Sequence, residues 1–252
     1  MKKSTVPVII LFNILLLSPL FSQPKDADYF ITYGGMAVVL SSQLFQDYLS
    51  PAQPGWTETN RFDLFFRDKL KWSDPNIHIA HKLSNVLLWG FLIPATFWAP
   101  ELGDYKYNEH LLLNMEVLAV AGFLVASTKF ITGRQRPYAH FHIKTDADPS
   151  EDNISFFSGH STLTFAAATS TSMMLQDKYH SNSGWLWGST LTLAALTGYL
   201  RIAADRHYMS DVLTGAVIGT LTAYLITKNQ KRNYFESRKS KLNVLFAWSI
   251  PL

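Results

Sequence analysis

Apolar residues in this chain come in blocks rather than in strict alternation. Five stretches, at roughly 83–99, 111–128, 161–176, 185–200 and 211–227, each hold about 15–18 mostly apolar residues, at or just below the length that spans a bilayer core. Blocks that are apolar nearly all round predict helices that are deeply buried or in lipid, so the pattern predicts an all-α helical bundle. Glu116 lies inside the second block and Ser/Thr residues punctuate the third, so hydropathy alone also admits a compact soluble bundle. Ahead of these blocks, 29–46 is mildly apolar and broken by Gly34-Gly35, and "SPAQPGWTETN" reads as a loop. "RFDLFFRDKLKW" (61–72) sets Phe62, Phe65, Phe66, Leu70 and Trp72 beside Arg61, Arg67, Lys69 and Lys71. That is the pattern of a cationic amphipathic helix that either lies in a membrane interface or covers the core.

Both ends add to the picture. The N-terminus has two lysines and then an apolar run to about Phe21, which fits a secretory signal and a first transmembrane helix alike. Either route leads to the cell envelope. "KNQKRNYFESRKSK" (228–241) holds six basic residues against one glutamate, which favours a cytoplasmic end after the last apolar block. If 6–22 is kept as a span, six crossings leave the N-terminus and this basic tail in the cytoplasm. The segments 129–160 and 201–210 then share the opposite, periplasmic side. The final "KLNVLFAWSIPL" alternates loosely and reads as a terminal strand or a packed tail. The chain divides into a signal or first span (1–22), an extracytoplasmic segment with the amphipathic helix (23–82), a helical core (83–227) and a basic tail (228–252).

Composition narrows the function classes. Hydrophobic residues make up 48% and charged residues 16% of the 252, below the usual quarter of charged residues. The net charge is +3, without the continuous basic stripe of a nucleic-acid binder. With no cysteine and no HExxH pair, disulfides, thiolate metal sites and a zinc site of that type are excluded.

Three polar clusters sit at the ends of apolar blocks. "KFITGRQRP" places Lys129 and Arg136 just past one block, and Pro137 turns the chain there. "SFFSGHS" places Ser158, Gly159 and His160 just before another, where a helix N-terminus offers unpaired N–H groups to an anion. "LRIAADRHYMSD" places Arg201, His207 and Asp211 about the boundary of the last two. Three fixed cations and a helix N-terminus describe a phosphate site, because arginine's planar fork grips phosphate oxygens in pairs. Phosphoryl transfer needs positioning and charge neutralisation above all, which cations supply as metals do elsewhere. A neutral imidazole can attack phosphorus. His207 and Asp211, at i and i+4, share a helix face, so Asp211 is expected to orient His207. His160 is expected to protonate the leaving alkoxide and later to activate water. Arg134 and Arg206 read as solvated flanks, with at most a part in holding a larger anionic head group. His140 and His142 read as exposed loop residues, and His78, His81, His110 and His180 show no partner pattern.

Order and spacing of the three clusters resemble the signature of the type 2 phosphatidic acid phosphatase family, which shares its core with bacterial acid phosphatases and vanadium haloperoxidases. That signature is Lys, six residues, Arg-Pro; Pro-Ser-Gly-His; and Ser-Arg, five residues, His, three residues, Asp. The resemblance covers about 111–227, with Phe157 where the family usually has proline and Leu200 where it has serine. It implies His207 as a nucleophile that becomes phosphohistidine, Asp211 as its partner, and His160 as general acid. Lys129, Arg136, Ser158, Gly159 and Arg201 would hold the phosphate. The reading is therefore a six-span membrane phosphatase needing no metal or other cofactor, with its site facing the periplasm. Its partners are a lipid phosphate or pyrophosphate substrate and the membrane, with no nucleic acid and no obligatory protein partner. Phosphatidic acid, phosphatidylglycerol phosphate, isoprenyl pyrophosphate and lipid A phosphate are the candidate substrates. Alternatives are a soluble periplasmic acid phosphatase on small esters, a vanadium haloperoxidase and an inactive lipid-binding scaffold.

Overall fold

The computed structural model describes residues 24–104 and 106–248, with side chains for 28–104 and 106–232. The expected N-terminal signal or span, 1–22, lies outside the described residues. Apart from one isolated bridge between Trp56 and Arg134, all regular structure described is helical. The longer helices are α1 (Pro24–Leu44), α2 (Arg61–Leu70), α3 (Ile77–Ile93), α4 (Tyr107–Thr132), α5 (Gly159–Leu175), α6 (Ser183–Ala203) and α7 (Met209–Trp248). The Gly34-Gly35 pair does not break α1, because that helix packs along α4, with Gly35 against Ala119. Residues 241–248, read as a strand or packed tail, continue α7 instead.

Local chemistry sets the helix ends that matter for function. The Asn60 side chain accepts from the Asp63 amide at 2.8 Å and caps α2, while the Ser158 hydroxyl caps α5. Gly133 closes α4 in the left-handed conformation, with φ of 56° and its N–H on the Lys129 carbonyl. Pro137 follows shortly after, so the chain leaves α4 in a sharp turn.

α5 is the central helix, contacted by α3, α4, α6 and α7. Its buried side chains are largely Ala, Ser and Thr, which let neighbouring backbones come close, and it is buried along nearly its whole length. Around it, Leu113, Val117 and Ala121 of α4 meet Ala166 and Met174 of α5 and Ala223 of α7. The outward faces are apolar as well. Leu83, Val86, Trp89 and Ile93 form an exposed stripe on α3, and Leu213, Val217 and Leu221 form one on α7. Among the described residues, three segments are long and apolar enough to cross a membrane: 74–102, 107–132 and 209–232. The 17-residue, hydroxyl-rich α5 is short for a span, and its burial depends on its neighbours.

α2 is inside-out. Phe62 and Phe65 are exposed, while Asp63 and Arg67 are buried. The hydrophobic rule is reversed because the buried charges are paired, with Arg134 and Asp205 respectively.

Candidate active site

The ends of α4 and α6 and the starts of α3, α5 and α7 meet at one end of the bundle, and short backbone bonds lock them together. The Ser158 amide donates to the Asp211 carbonyl at 3.1 Å, tying the start of α5 to the first turn of α7. The Ser155 amide donates to the Arg134 carbonyl at 2.9 Å, and the Arg136 amide to the Asp152 carbonyl at 2.7 Å. The linker between α6 and α7 turns at Asp205, whose φ is 57°. Its carboxylate accepts two 2.7 Å bonds from the Arg67 guanidinium. That bidentate pair fixes the turn that delivers His207.

All three clusters expected from the sequence come together here. His207 is 2% exposed, Arg201 2% and Arg136 4%, so the cations are held out of water beside the imidazole. Burial first, then Arg136, Arg201 and Lys129, hold the His207 imidazole well below its ordinary range, so it stays neutral. A neutral imidazole is the form that can attack phosphorus. Its Nδ1 lies 3.5 Å from Asp211 Oδ2. That is longer than a hydrogen bond, and catalytic hydrogen bonds commonly tighten only when substrate binds. His207 stands in the linker two residues before α7 rather than on a helix face shared with Asp211.

The donors around His207 are under-satisfied by the protein. Nε and Nη1 of Arg136, Nε of Arg201 and Nδ1 of His207 are buried without a hydrogen-bond partner. Lys129 has no side-chain hydrogen bond or ion pair among the described residues. Ser158 is fully buried at the N-cap of α5, and the first amides of that helix have no acceptor within it. A Cβ on Gly159 would stand 3.2 Å from Val125 Cγ1, so glycine keeps this backbone close to α4. Arg136 Nη1 stands 3.8 Å from Glu151 Oε2, beyond hydrogen-bond distance. Cations with unpaired donor nitrogens and amides without acceptors, gathered about one neutral histidine, have the make-up of a receptor for an anion with several oxygens.

Arg134 and Arg206, read from the sequence as solvated flanks, are 1% and 3% exposed. Burial is possible because both are paired. Arg134 bonds Asp211 through Nη1, with Ser210 Oγ at 2.8 Å, and bonds Asp63 through Nη2 at 2.7 Å. It also stacks on Trp56, with Cζ 4.0 Å from the ring centroid. Asp211 is held from both sides, since Ser155 Oγ at 2.6 Å and the Tyr208 amide at 2.9 Å donate to its other oxygen, and three donors leave one acceptor position for the His207 ring. Arg206 pairs with Glu151 and Asp146. Burial alone would raise the Glu151 carboxyl, but Arg136 and Arg206 outweigh it and hold it below the usual range. His81, for which the sequence showed no partner, accepts from Arg201 Nη1 at 2.9 Å. His160 Nε2 donates to Asn85 Oδ1 at 2.7 Å. Phe157 and Leu200, the two departures from the motif, are buried apolar residues.

A cavity of about 360 Å³ adjoins these groups, lined by Asp74, His78, His81, Lys144, Asp146 and Arg206 among others. Through His81 and Arg206 it borders the cluster of buried cations around His207.

Residues 111–235 match the PAP2 superfamily. Over 108 residues the chain is 36% identical to the lipid A 1-phosphatase of Porphyromonas gingivalis, covering 43% of this chain and 21% of that protein. It is 29% identical over 179 residues to lipid phosphate phosphatase 1 of Arabidopsis thaliana, covering 62% of this chain and 55% of that one. The chain thus spans about a fifth and about half of these two relatives. A structural comparison finds the transmembrane PAP2-type phosphatidylglycerolphosphate phosphatase of Bacillus subtilis at 16% identity and a TM-score of 0.45, covering 91% of this chain and 96% of that one.

Proposed function

The chain belongs to the PAP2 superfamily through residues 111–235, and from that premise we propose that it is a membrane phosphatase hydrolysing a lipid phosphate or pyrophosphate through a phosphohistidine. The observation that carries this reading is the set of buried donors on Arg136 and Arg201 without protein acceptors, beside a neutral His207. Lys129, Arg136, Arg201, the Ser158 hydroxyl and the amides at Gly159 and His160 bind the phosphoryl oxygens and neutralise their charge. His207 attacks phosphorus as the bond to the leaving oxygen breaks, and His160 gives that oxygen its proton. Asp211 orients the imidazole and stabilises its cation. In the second step His160 takes a proton from water, the water oxygen bonds to phosphorus, and the bond to His207 breaks. The protein's own cations do the neutralising, so no metal is assigned a role.

The apolar outer faces of α3 and α7 and the three long apolar segments support a membrane setting. With 6–22 retained as a span, six crossings put the site on the periplasmic side, and the basic tail 228–241 supports a cytoplasmic end after the last apolar helix. The lipid phosphatase relatives favour a lipid substrate such as phosphatidic acid or a lipid A phosphate.

The test is phosphate release from a panel of lipid phosphates, lipid pyrophosphates and a water-soluble ester, in EDTA, for the wild type and His207→Ala. The expected outcome is EDTA-resistant, lipid-selective release that is lost in His207→Ala. Release that survives in His207→Ala removes the nucleophile assigned here.

A further inference from the structure

α3 carries a fourth polar cluster, outside the three motifs and outside the residues that match the family. His81, Ser84 and Asn85 stand at i, i+3 and i+4, one face of a helix. Leu83 and Val86, on another face of the same helix, are apolar and exposed. The polar face points into the site. Arg201 Nη1 donates to His81 Nδ1 at 2.9 Å and to Ser84 Oγ at 3.0 Å, and His160 Nε2 donates to Asn85 Oδ1 at 2.7 Å. Ser84 is 0% exposed. Polar groups buried in an apolar bundle are costly unless bonded, and here their side-chain partners are two residues of the phosphate site.

We propose that this face of α3 positions the reaction's acid and one of its phosphate-binding arginines, Asn85 acting through His160 and His81 with Ser84 acting through Arg201. The inference rests on His160 being the general acid of the proposed phosphatase. An amide oxygen only accepts, so the bond to Asn85 keeps the proton on His160 Nε2. Nδ1 is then the nitrogen that exchanges protons with the reaction. The phosphate monoanion brings a proton of its own, which Nδ1 takes up on binding. In the first step the bond from His207 to phosphorus forms, the phosphorus–oxygen bond breaks, and that proton moves from Nδ1 to the leaving oxygen. In the second, Nδ1 takes a proton from the attacking water, and the electron pair of the phosphorus–nitrogen bond returns to His207. Throughout, Nε2–H stays on Asn85, as a backbone carbonyl or carboxylate orients other working histidines. The arginine half of the cluster has a different task. A guanidinium has five N–H donors in a fixed fork, and anchoring Nη1 on His81 and Ser84 leaves its unpaired Nε for the phosphate.

Leaving-group dependence separates positioning of an acid from a general structural role. An alkyl phosphate needs a proton on its departing oxygen, whereas nitrophenolate leaves without one. The measurement is kcat/KM, which reports the steps through leaving-group departure, for a short-chain phosphatidic acid and for p-nitrophenyl phosphate. Asn85→Ala is expected to lower the alkyl value about tenfold to hundredfold, within the range of general acid catalysis, and the aryl value less than about threefold. In the background of His160→Ala, Asn85→Ala is expected to cost nothing further on the alkyl substrate, since it acts through a group already gone. His81→Ala is expected to weaken inhibition by inorganic phosphate severalfold without changing the alkyl-to-aryl ratio, and His81→Asn, which restores an acceptor, to recover part of it. If Asn85→Ala does not survive purification, Asn85→Ser reports the same ratio.

Equal losses on both substrates, or a full further loss in the His160→Ala background, overturn the positioning role of Asn85. Unchanged phosphate inhibition in His81→Ala overturns that of His81. Wild-type protein that releases no phosphate from either ester, or His207→Ala protein that still does, overturns the phosphatase reading beneath it, an outcome distinct from both.

Discussion

Asp63 of α2 and Arg134 of the loop after α4 are joined by a 2.7 Å ion pair whose side chains are 0% and 1% exposed. The same guanidinium reaches Asp211, and Ser210 donates from both its amide (2.8 Å) and its hydroxyl (2.7 Å) to Asp63. The carboxylate assigned to orient His207 is therefore held by a chain of contacts that begins 148 residues earlier in sequence, at Asp63.

Removing one partner of such a network leaves an uncompensated buried charge. Arg134→Ala is expected to destabilise the protein by about 3–5 kcal/mol, since it strands both Asp63 and Asp211. Asp63→Asn keeps the shape and part of the hydrogen bonding, so a smaller loss is expected. Thermal unfolding in detergent together with phosphate release checks both. Wild-type stability in Arg134→Ala would show that the network carries no load.

Sequence alone made the three motifs legible because each is contiguous and each sits at a helix boundary, where an anion site is expected. The helix blocks were legible because apolar runs, and a turn residue such as Pro137, are local signals. What surrounds the motifs is tertiary. Arg134 meets Asp63 across 71 positions, His160 meets Asn85 across 75, and Arg201 meets Ser84 across 117. No spacing rule links such pairs. Arg134 and Arg206 read as solvated because unpaired arginines usually are, and only the fold supplies the carboxylates that let them be buried. In α2 the same kind of long-range pairing decides which charges are buried: Asp63 and Arg67 turn inward, while Arg61, Asp68 and Lys69 stay exposed beside Phe62 and Phe65.

His207 gives a pH prediction with a definite sign. Its ring is held well below the ordinary imidazole value, chiefly by burial and then by Arg136, Arg201 and Lys129. The unfolded chain therefore binds a proton below about pH 6.5 that the folded protein does not. Stability from the neutral ring is complete above that pH. It is lost as pH falls, by up to about 1.4 kcal/mol per unit, until the folded-state value is reached. His207→Gln lacks this term, so its unfolding temperature is expected to fall less than that of wild type between pH 7 and pH 5. In nitrogen-15 spectra of histidine-labelled protein, the resonance missing in His207→Gln is expected to stay that of a neutral ring at pH 5.5. A ring that titrates near 6.5 contradicts the assigned environment.

Close packing of α5 on α7 sets the position of the turn at Ser158, proposed above to bind phosphate. A Cβ on Gly215 would lie 2.7 Å from the Ser158 carbonyl oxygen, and one on Gly219 would collide with that of Thr162. Neither neighbour is a flexible side-chain end, so the helices themselves must part. Overpacking of this kind costs about 1–3 kcal/mol, and both Gly215→Ala and Gly219→Ala are expected to destabilise. They should differ in activity. Gly215 abuts Ser158, so its substitution displaces the cap that presents Gly159 and His160 and is expected to lower kcat/KM more than Gly219→Ala at similar stability. Gly188 is the control: nothing lies within 4 Å of its Cβ position on α6. There alanine is expected to be neutral or stabilising by about 0.5–1 kcal/mol, because it removes only the entropic cost of a helical glycine. Unfolding temperatures and kcat/KM for the three variants check the ordering, and a Gly215→Ala protein as active as Gly188→Ala would show that the α5 turn does not depend on this contact.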